Sequence, residues 1–527
     1  MSGWALPAPS GPPGLLESPP VVDVQSSLVP VALLLTSLVT AAVIFFLREE
    51  QVRLRSVLNL AGALAKVVLV ASLVAPVLAG ERFEWRTPLL PGIDLLLRVE
   101  PLSLLFMGLS SVLWLVTTVY AIGYLEGAPH RSRFFAFFSL CVTATVGISL
   151  AGNLLTFLVF YELLTLATYP LVAHRGTPEA IAGARTYLTY TLAGAVVLLL
   201  GVALLSALAE PVEFTPGGAP AVAALAAGSP GAASLVFGLL VVGLGVKAAV
   251  VPLHSWLPRA MVAPAPVSAL LHAVAVVKAG AFGLVRVVQD VYGVALADSL
   301  GLLAPLGVAA AVTIVYGSVL ALRQDDLKKR LAYSTVSQVS YIALGTALVG
   351  VVATTGALVH LVHQGVMKIT LFFCAGNYAE AVHVHRVSEM DGIGRRMPLT
   401  TAAFTVAALG MIGLPPLAGF VSKYHLGVGA LEAGRPEVVA VLAVSSALNA
   451  AYFLPVLHRA WFRPPAPDAG WVEEERRHRP RLEVPVTLLA PPVVTALLAL
   501  AAGVLAGTAG SPLDLARRIA EGSYAQQ

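Results

Sequence analysis

Apolar stretches of roughly 18 to 25 residues, the length a helix needs to cross a bilayer, recur along almost the whole chain. Such a sequence has few ways to fold. In hydrocarbon every backbone N–H and C=O must be paired internally, so the stretches become helices packed on one another. We place them near residues 28–47, 56–79, 99–124, 134–151, 154–173, 186–208, 235–257, 265–289, 299–322, 331–353, 355–380, 400–432, 437–461 and 484–507. Composition agrees: 57% of the 527 residues are hydrophobic and 12% are charged, against about 25% charged in soluble domains. The expected fold class is all-α integral membrane, with about fourteen transmembrane helices.

The basic residues test that count, because Lys and Arg collect in cytoplasmic loops. Alternate loops divide them 21 to 7, the richer set running from Arg48, Arg53 and Arg55 through Arg131, Arg259 and Lys328 to Arg481, and the poorer set being Arg82, Arg86, Arg98, Arg286, Arg435, Arg517 and Arg518. The richer side is therefore expected to be cytoplasmic, with both termini extracytoplasmic, in a prokaryotic-type inner membrane. The formal charge of +4 reflects these topology signals, not a nucleic-acid surface, since the basic residues lie in short clusters between spans. Cys141 and Cys374 fall inside spans without paired spacing, which excludes a disulfide framework and a thiolate metal site. No glycine loop of the phosphate-cradling kind is present, so neither a cofactor nor hydrolytic chemistry is expected. The proline-rich first 27 residues read as an exposed lead-in, "RQDDLKKR" (323–330) and "EEERRHRPR" (473–481) as solvated loops.

Of seven lysines, five lie within spans: Lys66, Lys247, Lys278, Lys368 and Lys423. An ionisable group between the leaflets marks a functional site by default. Glu162, in "TFLVFYELLTLATYPLV", is the matching intramembrane acid, with Lys247 and Lys278 its natural partners. Pro252 interrupts the span that carries Lys247, and Pro415 and Pro416 interrupt the one that carries Lys423. Interrupted helices at corresponding places in two halves point to an ion site, and their opened backbone groups must face protein or water. Between the halves, His360, Gln364 and Lys368 share one helix face at i, i+4 spacing with His363 beside it. No third imidazole or carboxylate stands at ligand spacing, so no metal is expected and the stripe reads as a water-bridged proton relay. His272, six residues before Lys278, reads equally as a packing histidine or a relay group, and His254 in the first break joins this second rank. Lys66 lies outside both halves, about half a span from its helix end, and is expected to snorkel.

Taken together these residues resemble the antiporter-like, proton-conducting membrane subunits shared by respiratory complex I, membrane-bound hydrogenases and Mrp-type antiporters. The resemblance runs over about residues 98–465. Its most specific part is "KAAVVPLHSWLPRAMVAPAPVSALLHAVAVVKAG" (247–280), followed by "FYELLTLATYPLV", "GLPPLAGFVSK" and "VEPLSLLF". It implies two inverted five-helix repeats with two broken helices: a lead-in at 1–27, helices 1–3 at 28–133, a first repeat at 134–298, a second at 299–465, and a loop, last helix and short tail at 466–527. It further implies Glu162 as ion-pair acid, Lys247 as central lysine, Lys278 as bridging base and Lys423 as terminal lysine. Two positions depart from the family pattern: Arg259 stands where an aspartate is common, and Gln364 where a histidine is common. The chain also ends soon after its last span, without the long lateral helix of the largest family member. Three family lysines at 247, 278 and 423 resemble the Mrp D-type and complex I N-type subunits, and the wording of 261–280 also resembles the A- and M-types.

The expected function is proton translocation, with sodium exchange left open, within a larger complex whose other membrane subunits are the partners. Two alternatives stand beside it: an assembly scaffold without transport of its own, and a stand-alone secondary transporter.

Overall fold

The computed structural model describes residues 24–90, 93–465 and 483–526. Most of the expected lead-in and the "EEERRHRPR" loop lie outside these residues. A short strand β1 (Val24–Ser26) precedes α1 (Val29–Phe45), α2 (Val52–Ser72) and its one-turn continuation α3 (Val74–Leu78). Next come strands β2 (Arg82–Leu90) and β3 (Ile93–Val99), which the apolar-span reading left as a loop. They pair antiparallel with Trp85 opposite Leu97, and β1 adds in parallel with Val24 opposite Arg82. The reason is local: in "RFEWR" aromatic and charged residues alternate with period two, which suits a strand with one covered face.

Four long helices follow: α4 (Pro101–Tyr124), α5 (Arg131–Leu150), α6 (Leu154–Val172) and α7 (Pro178–Leu208). The α7 helix begins eight residues before the expected 186, because the Thr177 side chain accepts the Ala180 N–H at 3.2 Å and Pro178 occupies the first turn, a position that needs no amide donor. Then come the short α8 (Pro220–Gly228), α9 (Pro230–Lys247), α10 (Trp256–Arg259), α11 (Ala265–Ala273) and α12 (Val276–Arg286), the last continuing as a π-helical segment over Val287–Tyr292. After α13 (Val294–Ser299) come α14 (Leu303–Leu322), α15 (Leu327–Thr346) and the 32-residue α16 (Val351–Val382). The chain closes with α17 (Ile393–Arg396), α18 (Pro398–Ile412), α19 (Ala418–Glu432), α20 (Pro436–Phe462), α21 (Val486–Val504) and α22 (Pro512–Ala525).

Among the described residues eleven helices are long and apolar enough to cross a membrane. Their burial is graded: the Ala265–Tyr292 span is wholly enclosed and α16 nearly so, whereas α2 and α20 turn most of their apolar surface outward. That grading fixes which helices can hold polar groups away from lipid. The α16 helix is the hub, packed against α4, α11, α15, α18, α19, α21 and α22.

Three sequence expectations change here. Arg286, counted among the loop residues although the expected span 265–289 contains it, is only 2% exposed: the helix runs on through the π-helical segment, and Arg286 is paired with two acids. The 323–330 cluster is solvated only in part: Arg323, Asp325 and Lys329 are exposed, but Asp326 caps α15 by accepting the Lys329 N–H at 2.8 Å, and buried Arg330 donates to the Gln324 and Tyr452 carbonyls, each at 2.8 Å. Lys66 does not snorkel. It is fully buried and donates to Ser37 Oγ at 2.6 Å.

Candidate functional site

Lys247 is the last residue of α9, so the helix break begins at its own carbonyl side. Its amine is fully buried, donates to the Tyr161 carbonyl, and lies over the Tyr161 ring and 3.7 Å from Glu162 Oε1. Glu162 is about a quarter exposed, so the acid reaches the edge of the bundle while the amine does not. Protein atoms satisfy the groups the break frees. The Val251 N–H donates to Thr313 Oγ1 at 3.0 Å, and the Trp256 indole donates to the Val246 carbonyl at 2.8 Å. The break also carries a left-handed Ala249 (φ 57°) and a buried His254 whose ring packs edge-on to Tyr316.

Lys278 stands on α12, next to the same break. Gly280, two residues on, abuts the Lys247–Ala248 backbone so closely that a Cβ there would lie 2.3 Å from the Ala248 nitrogen. The Lys278 amine donates to the Leu361 carbonyl of α16 at 2.8 Å. His272 belongs to a separate helix, α11, since the chain breaks at Val274–Ala275; the six-residue spacing along one helix therefore does not apply. Its ring packs 4.6 Å from Phe372 and neither ring nitrogen has a protein partner among the described residues.

The α16 stripe faces α15 and α19. His360 Nδ1 pairs with Ser422 Oγ at 2.8 Å, next to Lys423, and Nε2 with the Gln338 carbonyl at 3.1 Å. Two turns further, Lys368 donates to Ser334 Oγ at 2.7 Å and to the Leu331 carbonyl at 3.1 Å. Ser334 pairs with Tyr452 OH at 2.8 Å, Tyr452 donates to Asn449, and Asn449 donates to the Met411 carbonyl at 3.3 Å. Lys423 closes the run: its amine donates to the Met411 and Ile412 carbonyls at 3.0 and 2.8 Å and to Ser446 Oγ at 3.0 Å. Those carbonyls are open because α18 ends at the Gly413 break (φ 98°) ahead of Pro415 and Pro416.

The structure thus brings Glu162 against Lys247, Lys278 against α16, His360 against Ser422 next to Lys423, and Lys368 onto a hydrogen-bonded run that ends at the Met411 carbonyl, which Lys423 also bonds. His363, Gln364 and Gln338 are fully buried, and their side-chain polar atoms have no protein partner among the described residues. A buried polar atom left unpaired costs about 1–3 kcal/mol, so this part of the axis favours water. Sequence reasoning missed Ser334, Gln338, Asn449 and Tyr452. Hydroxyls and amides on otherwise apolar helices carried the signal, but only pairing in space sets them apart from packing residues.

A second cluster also escaped the sequence reading. Arg286 Nη1 bonds both Glu100 and, at 2.7 Å, Asp290 Oδ2, all three groups being buried. Above it, outside the spans, Arg98 bridges Glu84 at 2.9 Å and Glu213 at 2.7 Å, and Arg86 adds a 2.6 Å bond to Glu213. Burial pushes the Glu213 carboxyl up, but the hydrogen bonds from Arg98 and Arg86 outweigh it and hold the group below the usual carboxylate range. These ties clamp the β2–β3 hairpin to the loop after α7.

Comparison with known proteins places this geometry. A family model described as NADH:quinone oxidoreductase/Mrp antiporter, transmembrane, matches residues 151–449, and one described as NADH-ubiquinone oxidoreductase (complex I), chain 5 N-terminus, matches 91–135. NADH-quinone oxidoreductase subunit N of Desulforudis audaxviator is 40% identical over 419 residues, which cover 76% of this chain and 80% of that protein. Hydrogenase-4 component B of Escherichia coli is 32% identical over 366 residues, 66% of this chain and 53% of its own length. Among solved structures, a chain of the Mrp complex from Dietzia sp. superposes with a TM-score of 0.82 at 25% identity, covering 95% of this chain and 98% of that one.

Proposed function

The chain belongs to the NADH:quinone oxidoreductase/Mrp antiporter transmembrane family, and on that footing we propose that it carries protons across a membrane as part of a multi-subunit complex. The observation that carries the proposal is the run of hydrogen-bonded groups from Lys368 through Ser334, Tyr452 and Asn449 to the carbonyls that hold Lys423. A polar line of this length is costly among lipid-facing helices and is retained where charge must pass.

In this reading Glu162 sets the charge of Lys247. An ion pair favours the charged amine, and separating the two removes that support. The proton released moves to Lys278, which touches α16, then along the hydrated stripe of His360, His363, Gln364 and Lys368 to Lys423. The helix breaks at Pro252 and at Pro415–Pro416 supply the backbone carbonyls and the room that this transfer needs. One unit of pKa shift corresponds to about 1.4 kcal/mol, so modest changes of pairing distance suffice to load and unload such amines.

The same reading assigns fourteen spans, two inverted repeats at 134–298 and 299–465, both termini extracytoplasmic, and a bacterial inner membrane. Other membrane subunits are the partners, protons the cargo, and sodium exchange stays open. The test is Lys247→Ala in inverted membrane vesicles that contain the complete parent complex. Proton transport is expected to be lost while complex content holds. Transport at the unaltered rate with the complex intact would leave a scaffold role in its place.

A further inference from the structure

Lys66 is the one span lysine that the path above does not use, and its surroundings are built rather than incidental. Its amine is fully enclosed, donates to Ser37 Oγ at 2.6 Å and faces the Trp114 ring at 5.0 Å. Among the described residues no carboxylate lies within ion-pairing reach, and the elements packed around it present Ser37 from α1, Trp114 from α4 and Thr143 from α5, none of them charged. Nothing fixes a counter-charge there, unlike at Lys247.

From Lys66 a file of buried polar groups leads to one membrane face. Thr143 Oγ1 donates to Ser37 Oγ at 2.8 Å and to the Ser139 carbonyl at 3.1 Å. Ser139 Oγ donates to Asn59 Oδ1 at 3.3 Å, and Asn59 Nδ2 to the Arg55 carbonyl at 3.0 Å. Arg55 then meets Ser132 Oγ at 2.9 Å and Glu49 at 4.0 Å in the loop between α1 and α2. Every link from Ser37 to Asn59 is fully or almost fully buried, so the file is an interior feature of α1, α2 and α5. On the other side of Lys66, Ser110, Trp114 and Thr118 stand at i, i+4 and i+8 on one face of α4, and Ser110 Oγ, Trp114 Nε1 and Thr118 Oγ1 are buried without a protein partner among the described residues. The α4 helix in turn packs on α16, where Leu109 meets Gly365 beside the unpartnered Gln364 and Tyr120 OH donates to the Phe373 carbonyl at 3.0 Å.

We propose that Lys66 is a fifth amine station: it is loaded with protons from the loop between α1 and α2 along the Asn59–Ser139–Thr143–Ser37 file and discharges along α4 onto the α16 stripe. This rests on the proton-translocating reading. It adds a feeder through the N-terminal helices, outside both halves that carry the main line.

The experiment uses inverted vesicles with the complete complex and five variants: Lys66→Met, Lys66→His, Thr143→Val, the double variant Lys66→Met with Thr143→Val and, as reference, Lys247→Ala. Lys66→Met and Thr143→Val are each expected to slow proton transport about fivefold with complex content unchanged, and the double variant no further, since the two groups act in series. Lys66→His is expected to transport near the native rate at pH 6 and to lose it toward pH 8, because an imidazole is protonated only near and below about pH 6.5. A lysine that merely satisfies Ser37 would give none of these effects. If Lys247→Ala stops transport while Lys66→Met, Thr143→Val and Lys66→His run at the native rate and pH profile, the feeder is overturned and the main line stands. If Lys247→Ala also runs at the native rate, the transport reading itself falls. Should Lys66→Met fail to assemble, Thr143→Val and Lys66→His decide the question.

Discussion

Replacing Arg286 by methionine tests whether the buried cluster beneath the hairpin is held by charge. Arg286, Glu100 and Asp290 are 2%, 5% and 3% exposed, and a single guanidinium nitrogen serves both acids. Removing one partner of a buried pair costs about 3–5 kcal/mol. Here two acids lose the same partner. Their oxygens, each in contact with one nitrogen, lie within about 5 Å of one another, where like charges repel by about 3 kcal/mol at an effective dielectric of 20. Uptake of one proton relieves most of that repulsion, so the net cost stays near the pair-breaking figure. The melting temperature of the purified protein in detergent, followed by tryptophan fluorescence, is expected to fall on the order of 5 °C. A triple variant, Glu100→Met with Arg286→Met and Asp290→Leu, removes both orphaned acids and is expected to recover most of the loss, because buried ion clusters exchange for apolar groups of similar volume at little cost. If Arg286→Met melts at the native temperature, or the triple variant melts as low as the single one, electrostatic locking is not what holds this cluster.

Other outcomes follow from the same geometry. Gly280→Ala places a methyl 2.3 Å from the Ala248 nitrogen and 2.8 Å from the Lys247 carbonyl carbon; backbone cannot yield there, so about 1–3 kcal/mol of stability and most proton transport are expected to go, and a native melting curve would contradict the contact. Ser334→Ala cuts the link between Lys368 and Tyr452, and a hydrogen bond to a charged group is worth about 1.5–3 kcal/mol; transport is expected to drop at least tenfold with the complex intact, whereas an unchanged rate would remove Ser334 from the path. His174, just past the end of α6, is held neutral by burial and by Arg133, with its pKa lowered to about 4. The unfolded chain takes up its proton near the ordinary value of about 6.5, so the stability this site contributes is complete above that pH and declines as pH falls toward 4. His174→Phe, which keeps the edge-on packing against Phe134, is expected to lose less stability than the native chain between pH 7 and 4, as read by denaturation midpoints.

Charge inside a membrane is so exceptional that Glu162, Lys247, Lys278, Lys368 and Lys423 stood out in the sequence before any packing was known. The spans and helix breaks were legible for a related reason, since length, apolarity and proline act locally. What stayed hidden depends on juxtaposition. Ser334, Asn449 and Tyr452 belong to helices where some polar residues bond only their own backbone, as Thr335 does to the Leu331 carbonyl. Arg286 was tallied as a loop marker although the span 265–289 contained it, because its pairing with both Glu100 and Asp290 is set only in space. The hairpin was missed because its alternation is short and its neighbours are long apolar runs. Lys66 was expected to reach for the surface, yet a hydroxyl and an indole face offered it a seat inside.

The seat of Lys423 has a consequence of its own. Lys247 leans on a carboxylate, a side chain with rotamers and a titration of its own. Lys423 leans on the cut end of α18, where the helix dipole places roughly half a negative charge on carbonyls that neither rotate away nor take up a proton. One terminus of the proposed line is therefore an adjustable contact and the other a fixed one: a change in the distance between Glu162 and Lys247 resets the first without altering the second.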